Sequence, residues 1–263
     1  MPNTDNAQLS IAFLMLSISA TVWWMWSRRM KRFGEIWQRE TTVAPTWSFG
    51  AVFLPLTLIA LYLLFGLMPP SGESRPYTVE HVRGGCLERA VLAAMLFGLL
   101  LGLGKSSARD FGVTLVAWRQ QVLVGLEMAH ASFLPVMLLM MGTTLLRRPD
   151  EKNLLLILLD KDRSVSTLAW VVLAAVVLAP LVEELLFRVI LLGWLKTKTT
   201  ANHAVGISSL VFAFIHGPLD GAALLPLALL LGSLYDRQQR FLSIFVAHAT
   251  FNLWMITLAI AGR

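Results

Sequence analysis

Residues 168–188 read LAWVVLAAVVLAPLVEELLFR, an apolar stretch long enough to cross a lipid bilayer as a helix. It nevertheless contains three ionisable side chains, those of Glu183, Glu184 and Arg188. Each such group costs roughly 2.5–3.5 kcal/mol near the bilayer centre on insertion scales. Because charged groups at membrane depth usually serve a function, the stretch predicts a polar site inside a membrane-embedded helix.

The composition of the whole chain indicates a membrane protein. Hydrophobic residues make up 56% of the 263 residues and charged residues only 14%, whereas soluble domains carry about 25% charged residues. We therefore predict an all-α fold, a polytopic bundle of about eight transmembrane helices with the catalytic site within the bilayer. The candidate spans are 9–26, 48–68, 87–103, 122–145, 167–195, 204–216, 222–235 and 241–261. The sixth and seventh are short, and Gly217 and Pro218 break the chain between them.

Basic residues predict the orientation of the bundle. Four of them follow the first span at 28–32, which by the positive-inside rule places the N-terminus outside. Residues 146–166 go against this bias with five basic residues. Either 154–159 forms a short interfacial helix or one of the spans is misassigned. The net charge of +6 fits cytoplasmic loops, and no basic folded domain is visible, so we expect no nucleic-acid partner.

The motifs divide the chain into two regions. Residues 1–120 are expected to form N-terminal transmembrane helices without a recognised motif. Residues 121–263 are expected to form a C-terminal helical bundle that carries every motif described below, with its core at about 165–260. Counted from the predicted cytoplasmic ends of their helices, Glu183, His216, His248 and Asn252 lie about 12–20 Å deep at 1.5 Å per residue. We therefore expect them to meet at similar depth, in a site reached from the cytoplasmic side.

The Glu-Glu pair predicts two carboxylates with different tasks. Glu184 and Arg188 are four residues apart, so they share a helix face and can pair. Glu183 points about 100° away and is left to face a cavity. Pro180 removes the hydrogen bond to the Val176 carbonyl and can kink the helix. The alternative is a buried structural salt bridge with a spare acid.

Two further pairs repeat the spacing of four. Phe212 and His216 share one helix face, and His248 and Asn252 share another. A His and an Asn on one face can present two N–H donors to a developing oxyanion. Each pair alone is more often core packing or contact between helices. Together with Glu183 they form the parts of a hydrolase site, namely a carboxylate to activate water, a His partner and two donors.

These three motifs, in this order, resemble those of the CAAX prenyl protease type II family, whose bacterial branch is known as CPBP or Abi. The resemblance covers about residues 165–260 and is closest at 179–188. It implies an intramembrane endopeptidase that hydrolyses a peptide bond with Glu-activated water. The catalytic residues that it implies are Glu183, His216, His248 and Asn252, the first two to activate water and the last two to form an oxyanion hole. The supporting residues that it implies are Glu184, Arg188 and Phe212.

The resemblance leaves the cofactor open. We expect no cofactor and a glutamate-dependent mechanism. The alternative is a metalloprotease in which Glu183, His216 and His248 bind zinc with an open fourth position. The sequence contains no HExxH motif that would favour zinc.

Two other functions compete with a peptidase. Ionisable residues in broken membrane helices also occur in transporters and proton relays. A non-catalytic scaffold of the same family is the third possibility. For the peptidase we expect a membrane-associated protein or peptide substrate, lipidated or not, in contact with the lipid bilayer. We expect an integral membrane protein of the bacterial cytoplasmic (inner) membrane.

Overall fold

The computed structural model describes residues 4–42, 50, 52–53, 55–57, 60, 77–102, 107–146 and 154–262. Within these ranges the secondary structure is helical and contains no strand, which confirms the all-α prediction. The helices are α1 (Thr4–Phe33), α2 (Val79–Gly102), α3 (Trp118–Thr144), α4 (Leu154–Lys161), α5 (Val165–Lys196), α6 (Ala201–Ile215), α7 (Pro218–Gln238) and α8 (Phe241–Ala261). A short 3₁₀ turn, Ala108–Phe111, precedes α3.

Six of the described helices are long and apolar enough to cross a membrane, namely α1, α2, α3, α5, α7 and α8. The predicted seventh span proves longer than expected, since α7 has 21 residues. Asp220 and Arg237 lie near the two ends of this helix. The predicted span was too short because it contained only the apolar residues between these charges. Helix α6 has only 15 residues, and the predicted span 48–68 lies mostly outside the described residues. The predicted short helix at 154–159 is present as α4.

Helix α3 lies at the centre of the described bundle and packs against α1, α7 and α8. A polar contact fastens α1 to it: Glu127 of α3 accepts hydrogen bonds from Trp26 and from Arg29, the latter at 2.6 Å. Helix α5, which carries the Glu-Glu pair, packs against α2, α6 and α8. The pair is thus enclosed by helices from both halves of the chain.

Helix α5 changes its winding on both sides of the Glu-Glu pair. The α-helical turns Ala179–Glu184 lie between two π-helical segments, Leu173–Leu178 and Leu185–Leu192. Pro180 is the second residue after the first π segment, and it has no N–H to donate to an α-helical hydrogen bond. Wider π turns are frequent at functional sites because they re-aim neighbouring side chains.

The turn between α6 and α7 depends on two glycines. Gly217 has φ +80°, a left-handed conformation that L side chains rarely adopt. Gly221 allows a close approach of the two helices, because a Cβ there would lie 2.0 Å from the Ala213 carbonyl oxygen. The predicted break at Gly217 and Pro218 is confirmed, and it leaves His216 at the C-terminal end of α6.

A segment after α1 ties the opposite end of the bundle together. Buried Asp236 at the end of α7 contacts Arg39 at 2.9 Å and Lys196 of α5 at 2.7 Å. Arg240 pairs with Glu40 at 2.8 Å. These contacts join the segment after α1 to α5, α7 and the start of α8, at the end that lies away from the cavity described below.

Candidate active site

The two neighbouring glutamates lie in different surroundings. The Glu184 side chain is fully buried and its Oε2 lies 3.3 Å from Nε of Arg188, which is also fully buried. The Glu183 side chain is 22% exposed and lines a cavity. The spacing predicted this division, because a step of one residue turns about 100° around a helix.

Arg188 packs on an aromatic ring as well as on its acid. Its guanidinium carbon lies 4.6 Å from the centroid of the Phe212 ring, a cation–π distance. Within the described part of the chain, none of its guanidinium nitrogens makes a hydrogen bond of good geometry. The Phe212 ring and the Glu184 charge together therefore compensate a cation that has no access to water.

His248 lies between the two carboxylates. Its Nδ1 is 2.7 Å from Oε1 of Glu184, and its Nε2 is 3.6 Å from Oε2 of Glu183. The imidazole also meets the Phe212 ring edge-on, with 5.8 Å between the ring centroids. One nitrogen of His248 is thus held by the buried acid, and the other is directed towards the acid that lines the cavity.

His216 presents its Nε2 as a proton acceptor. Its Nδ1 is 2.7 Å from the Phe212 carbonyl oxygen, and a carbonyl can only accept a hydrogen bond. The proton of a neutral His216 therefore lies on Nδ1, which leaves a lone pair on Nε2. The imidazole also packs on the Phe212 ring, with 4.5 Å between centroids. Phe212 accordingly positions His216, His248 and Arg188.

Asn252 is fixed by the backbone of the helix that carries the glutamates. Its side-chain amide donates a hydrogen bond of 2.8 Å to the carbonyl oxygen of Ala175. Ala175 belongs to the first π segment of α5. The amide has two N–H groups, so one remains for a ligand in the cavity.

All four predicted catalytic residues line one cavity of about 950 Å³. The three predicted supporting residues are buried and are not among its lining. Most of the other described lining is apolar and includes Met137, Met140, Leu155, Leu224 and Met255. The cavity thus combines a small polar centre with an extensive apolar wall.

The cavity occupies one half of the bundle. Along α8 its lining runs from His248 to Gly262, about 21 Å at 1.5 Å per residue, and it includes Gln8 near the start of α1. None of the described lining residues comes from the end that holds Lys196 and Arg240. The described lining thus lies at the opposite end from the predicted access, and the side of access stays a prediction. The cavity extends instead towards the end that holds the first residues of α1.

Residues 165–254 match the family model described as type II CAAX prenyl endopeptidase Rce1-like. This segment is similar to the CAAX endopeptidases. The family predicted from the motifs is confirmed for it, and all seven predicted site residues lie within the match. No curated protein and no solved structure matched the chain. The matched family is one of peptidases, and the segment lies in an integral membrane protein.

The zinc alternative predicts that Glu183, His216 and His248 together bind a metal ion. No three His, Cys, Asp or Glu side chains in the described part of the chain are arranged to hold a metal ion. We therefore derive no step through a metal, and the expectation that no cofactor is needed stays a prediction.

Several contacts of the candidate site were missed by sequence reasoning. The hydrogen bond between His248 and Glu184 joins residues 64 positions apart, which no spacing rule could find. The Ala175 carbonyl and the hydrogen bond from Ser208 to the Phe187 carbonyl (2.7 Å) are backbone contacts without a sequence signal. The pairing of Glu184 with Arg188 was predictable because both lie on one helix face.

Proposed function

We propose that this protein is an intramembrane endopeptidase that hydrolyses a peptide bond with water activated by Glu183. The observation that carries the proposal is that Glu183, His216, His248 and Asn252 line one cavity while the charged pair behind them is buried. A carboxylate, two imidazoles and an amide around a shared space are the groups that general-base hydrolysis needs. We propose that no metal or other cofactor takes part.

In the proposed reaction, water binds between Glu183 and His216. The Glu183 carboxylate accepts a proton from the water, whose oxygen attacks the scissile carbonyl carbon. His216 orients the water through the lone pair on Nε2. The carbonyl π electrons move to its oxygen, and N–H groups of His248 and Asn252 stabilise the resulting negative charge. Collapse of the intermediate breaks the C–N bond, and the departing nitrogen gains a proton.

The proposed substrate is a membrane-associated protein or peptide, lipidated or not. An apolar wall favours a hydrophobic segment that enters from the bilayer, since burial of apolar surface stabilises binding by about 25 cal/mol per Å². We place the protein in the bacterial cytoplasmic (inner) membrane. We propose that substrates enter from the side on which α1 begins.

The test is peptide cleavage by purified protein in proteoliposomes. The substrates are a panel of farnesylated and unmodified C-terminal tail peptides, with products identified by mass spectrometry. We expect cleavage by the wild type, none by Glu183→Gln and nearly full cleavage by Glu127→Gln, a control for losing a carboxylate outside the cavity. Equal cleavage by wild type and Glu183→Gln would overturn the proposal.

A chelator arm of the same assay tests the cofactor. We expect cleavage to persist in excess EDTA and to be unchanged by added zinc. Loss of cleavage in EDTA with recovery on zinc addition would assign the reaction to a metalloprotease. Absence of any cleaved product across the panel would favour the scaffold or transport alternatives.

A further inference from the structure

The hydrogen bond between His248 and Glu184 has a fixed direction. Glu184 is buried beside Arg188, and a guanidinium stays protonated in proteins. Glu184 is the carboxylate that pairs with this buried guanidinium at 3.3 Å, and a buried charge without a partner is costly. An ionised carboxylate only accepts hydrogen bonds, so Nδ1 of His248 carries the proton and donates it to Glu184.

This direction restricts what Nε2 of His248 can do. In the neutral imidazole the only proton is on Nδ1, so Nε2 is an acceptor. Nε2 can donate to an oxyanion or to a departing nitrogen only after it has gained a second proton. The nearest described acid is Glu183, whose Oε2 lies 3.6 Å from Nε2. A proton held by Glu183 thus has a short path to Nε2, directly or through one water.

We infer that Glu184 is a positioning residue that makes His248 a proton relay between Glu183 and the departing amine. The inference rests on the proposed function and deepens it, since it assigns the source and destination of the proton on His248. Asn252 has no such role because an amide does not exchange its protons in this way. His216, whose Nδ1 is held by a backbone carbonyl, remains the partner that orients water.

One proton passes through the relay in each turnover. Water loses a proton to Glu183 while its oxygen bonds to the carbonyl carbon. Glu183 passes that proton to Nε2 of His248, which becomes an imidazolium balanced by Glu184. The imidazolium first donates a hydrogen bond to the oxyanion and then transfers the proton to the scissile nitrogen. The C–N bond breaks, its electron pair stays on nitrogen, and the products are a carboxylic acid and a neutral amine.

The relay is tested by changing the leaving group. A peptide that the wild type cleaves is compared with its depsipeptide, which has an ester oxygen in place of the scissile N–H. An alcohol leaves with far less need for a proton than an amine does. A residue that protonates the leaving group is therefore important for the amide and much less important for the ester. A residue that only stabilises the oxyanion affects both substrates equally.

We expect His248→Gln to lower the rates of both amide and ester cleavage, because both lose a hydrogen bond to the oxyanion. We expect the loss on the amide to exceed the loss on the ester by about 10²-fold or more, the range for a general acid. We expect His216→Gln to lower both rates by the same factor. Equal losses for His248→Gln on amide and ester would overturn the relay while leaving the peptidase intact. Wild-type rates in Glu183→Gln on the amide would instead overturn the proposed function, and the relay with it.

The positioning role has its own variant. In Glu184→Gln the side chain can turn its NH₂ group towards Nδ1, which favours the tautomer with the proton on Nε2. The same change of acid to amide beside the catalytic His of serine proteases costs about 10⁴-fold in turnover. We expect Glu184→Gln to show the same larger loss on the amide as His248→Gln. A loss equal on both substrates would reduce Glu184 to a structural role, and His248→Gln decides the relay if Glu184→Gln does not fold.

Discussion

At the scale of single residues, the site depends on a contrast between neighbours. Glu183 and Glu184 have identical side chains, yet one lines a cavity and the other is enclosed with Arg188 and His248. The enclosed acid orders the groups around it, and the partly exposed acid is free to meet water. Replacing each residue should therefore change different properties of the protein.

Arg188→Met should destabilise the protein much more than Glu183→Gln. Removing one member of a buried ion pair costs about 3–5 kcal/mol because the remaining charge has no solvent. Glu183 loses only its 3.6 Å contact with His248, so its variant should unfold close to the wild-type temperature. Thermal unfolding in detergent micelles measures the difference. Equal midpoints for the two variants would contradict the assignment of Arg188 as the partner of the buried acid.

Sequence reasoning could predict which residues share a helix face but not which helices touch. The pairing of Glu184 with Arg188 follows from a spacing of four, and so does the separate direction of Glu183. The contact between His248 and Glu184 arises from packing of α8 against α5. That packing depends on the shapes of both helices, which no local pattern contains.

At the scale of elements, the close pair α6 and α7 positions His216. The helices approach at Gly221, which faces the Ala213 carbonyl oxygen, three residues before His216. The sequence predicted the break between these helices, but the predicted span was shorter than α7 because charged residues lie near both ends of that helix. Nor did it predict the π turns of α5, since a π turn depends on hydrogen-bond partners rather than on residue type.

Gly221→Ala should impair both stability and cleavage. The added methyl would lie 2.0 Å from a backbone oxygen, so α6 and α7 would have to separate and His216 would move with them. Gly206→Ala in α6 is the matched control, because a methyl there meets no atom within 4 Å. Ala favours a helix over Gly by about 1 kcal/mol, so the control should be neutral or stabilising. Unfolding midpoints and cleavage rates that coincide for the two variants would contradict the close approach.

At the scale of the whole molecule, the cavity lies towards one end of the helix bundle. It extends from the polar centre to the end of the bundle where α1 begins and α8 ends. An outside N-terminus would place a cavity at that end on the outer side of the membrane, whereas the sequence predicts access from the cytoplasm. The rise per residue of a helix predicts how deep each residue lies below one membrane face. The four predicted catalytic residues do line one cavity. The rise per residue does not predict at which end of the bundle the packed helices enclose a cavity.

Labelling of single cysteines should find the cavity and the start of α1 on one side of the membrane. In a Cys86→Ser background, Asn6→Cys and Asp220→Cys should react with a membrane-impermeant maleimide added to the same side. Lys198→Cys, in the exposed turn before α6, should react only from the other side. Helix α6 separates Lys198 from the cavity by about 22 Å at 1.5 Å per residue. Labelling of Asp220→Cys and Lys198→Cys from one side would contradict this arrangement.

The central claim is that Glu183 activates water for peptide hydrolysis inside the membrane. The most direct measurement follows cleavage of the peptide panel in H₂¹⁸O by wild-type protein and by Glu183→Gln, reconstituted in liposomes at matched amounts. We expect the wild type to place one ¹⁸O in the new carboxyl group and Glu183→Gln to yield no product while unfolding at the wild-type temperature. Labelled product from a folded Glu183→Gln variant at the wild-type rate would contradict the claim.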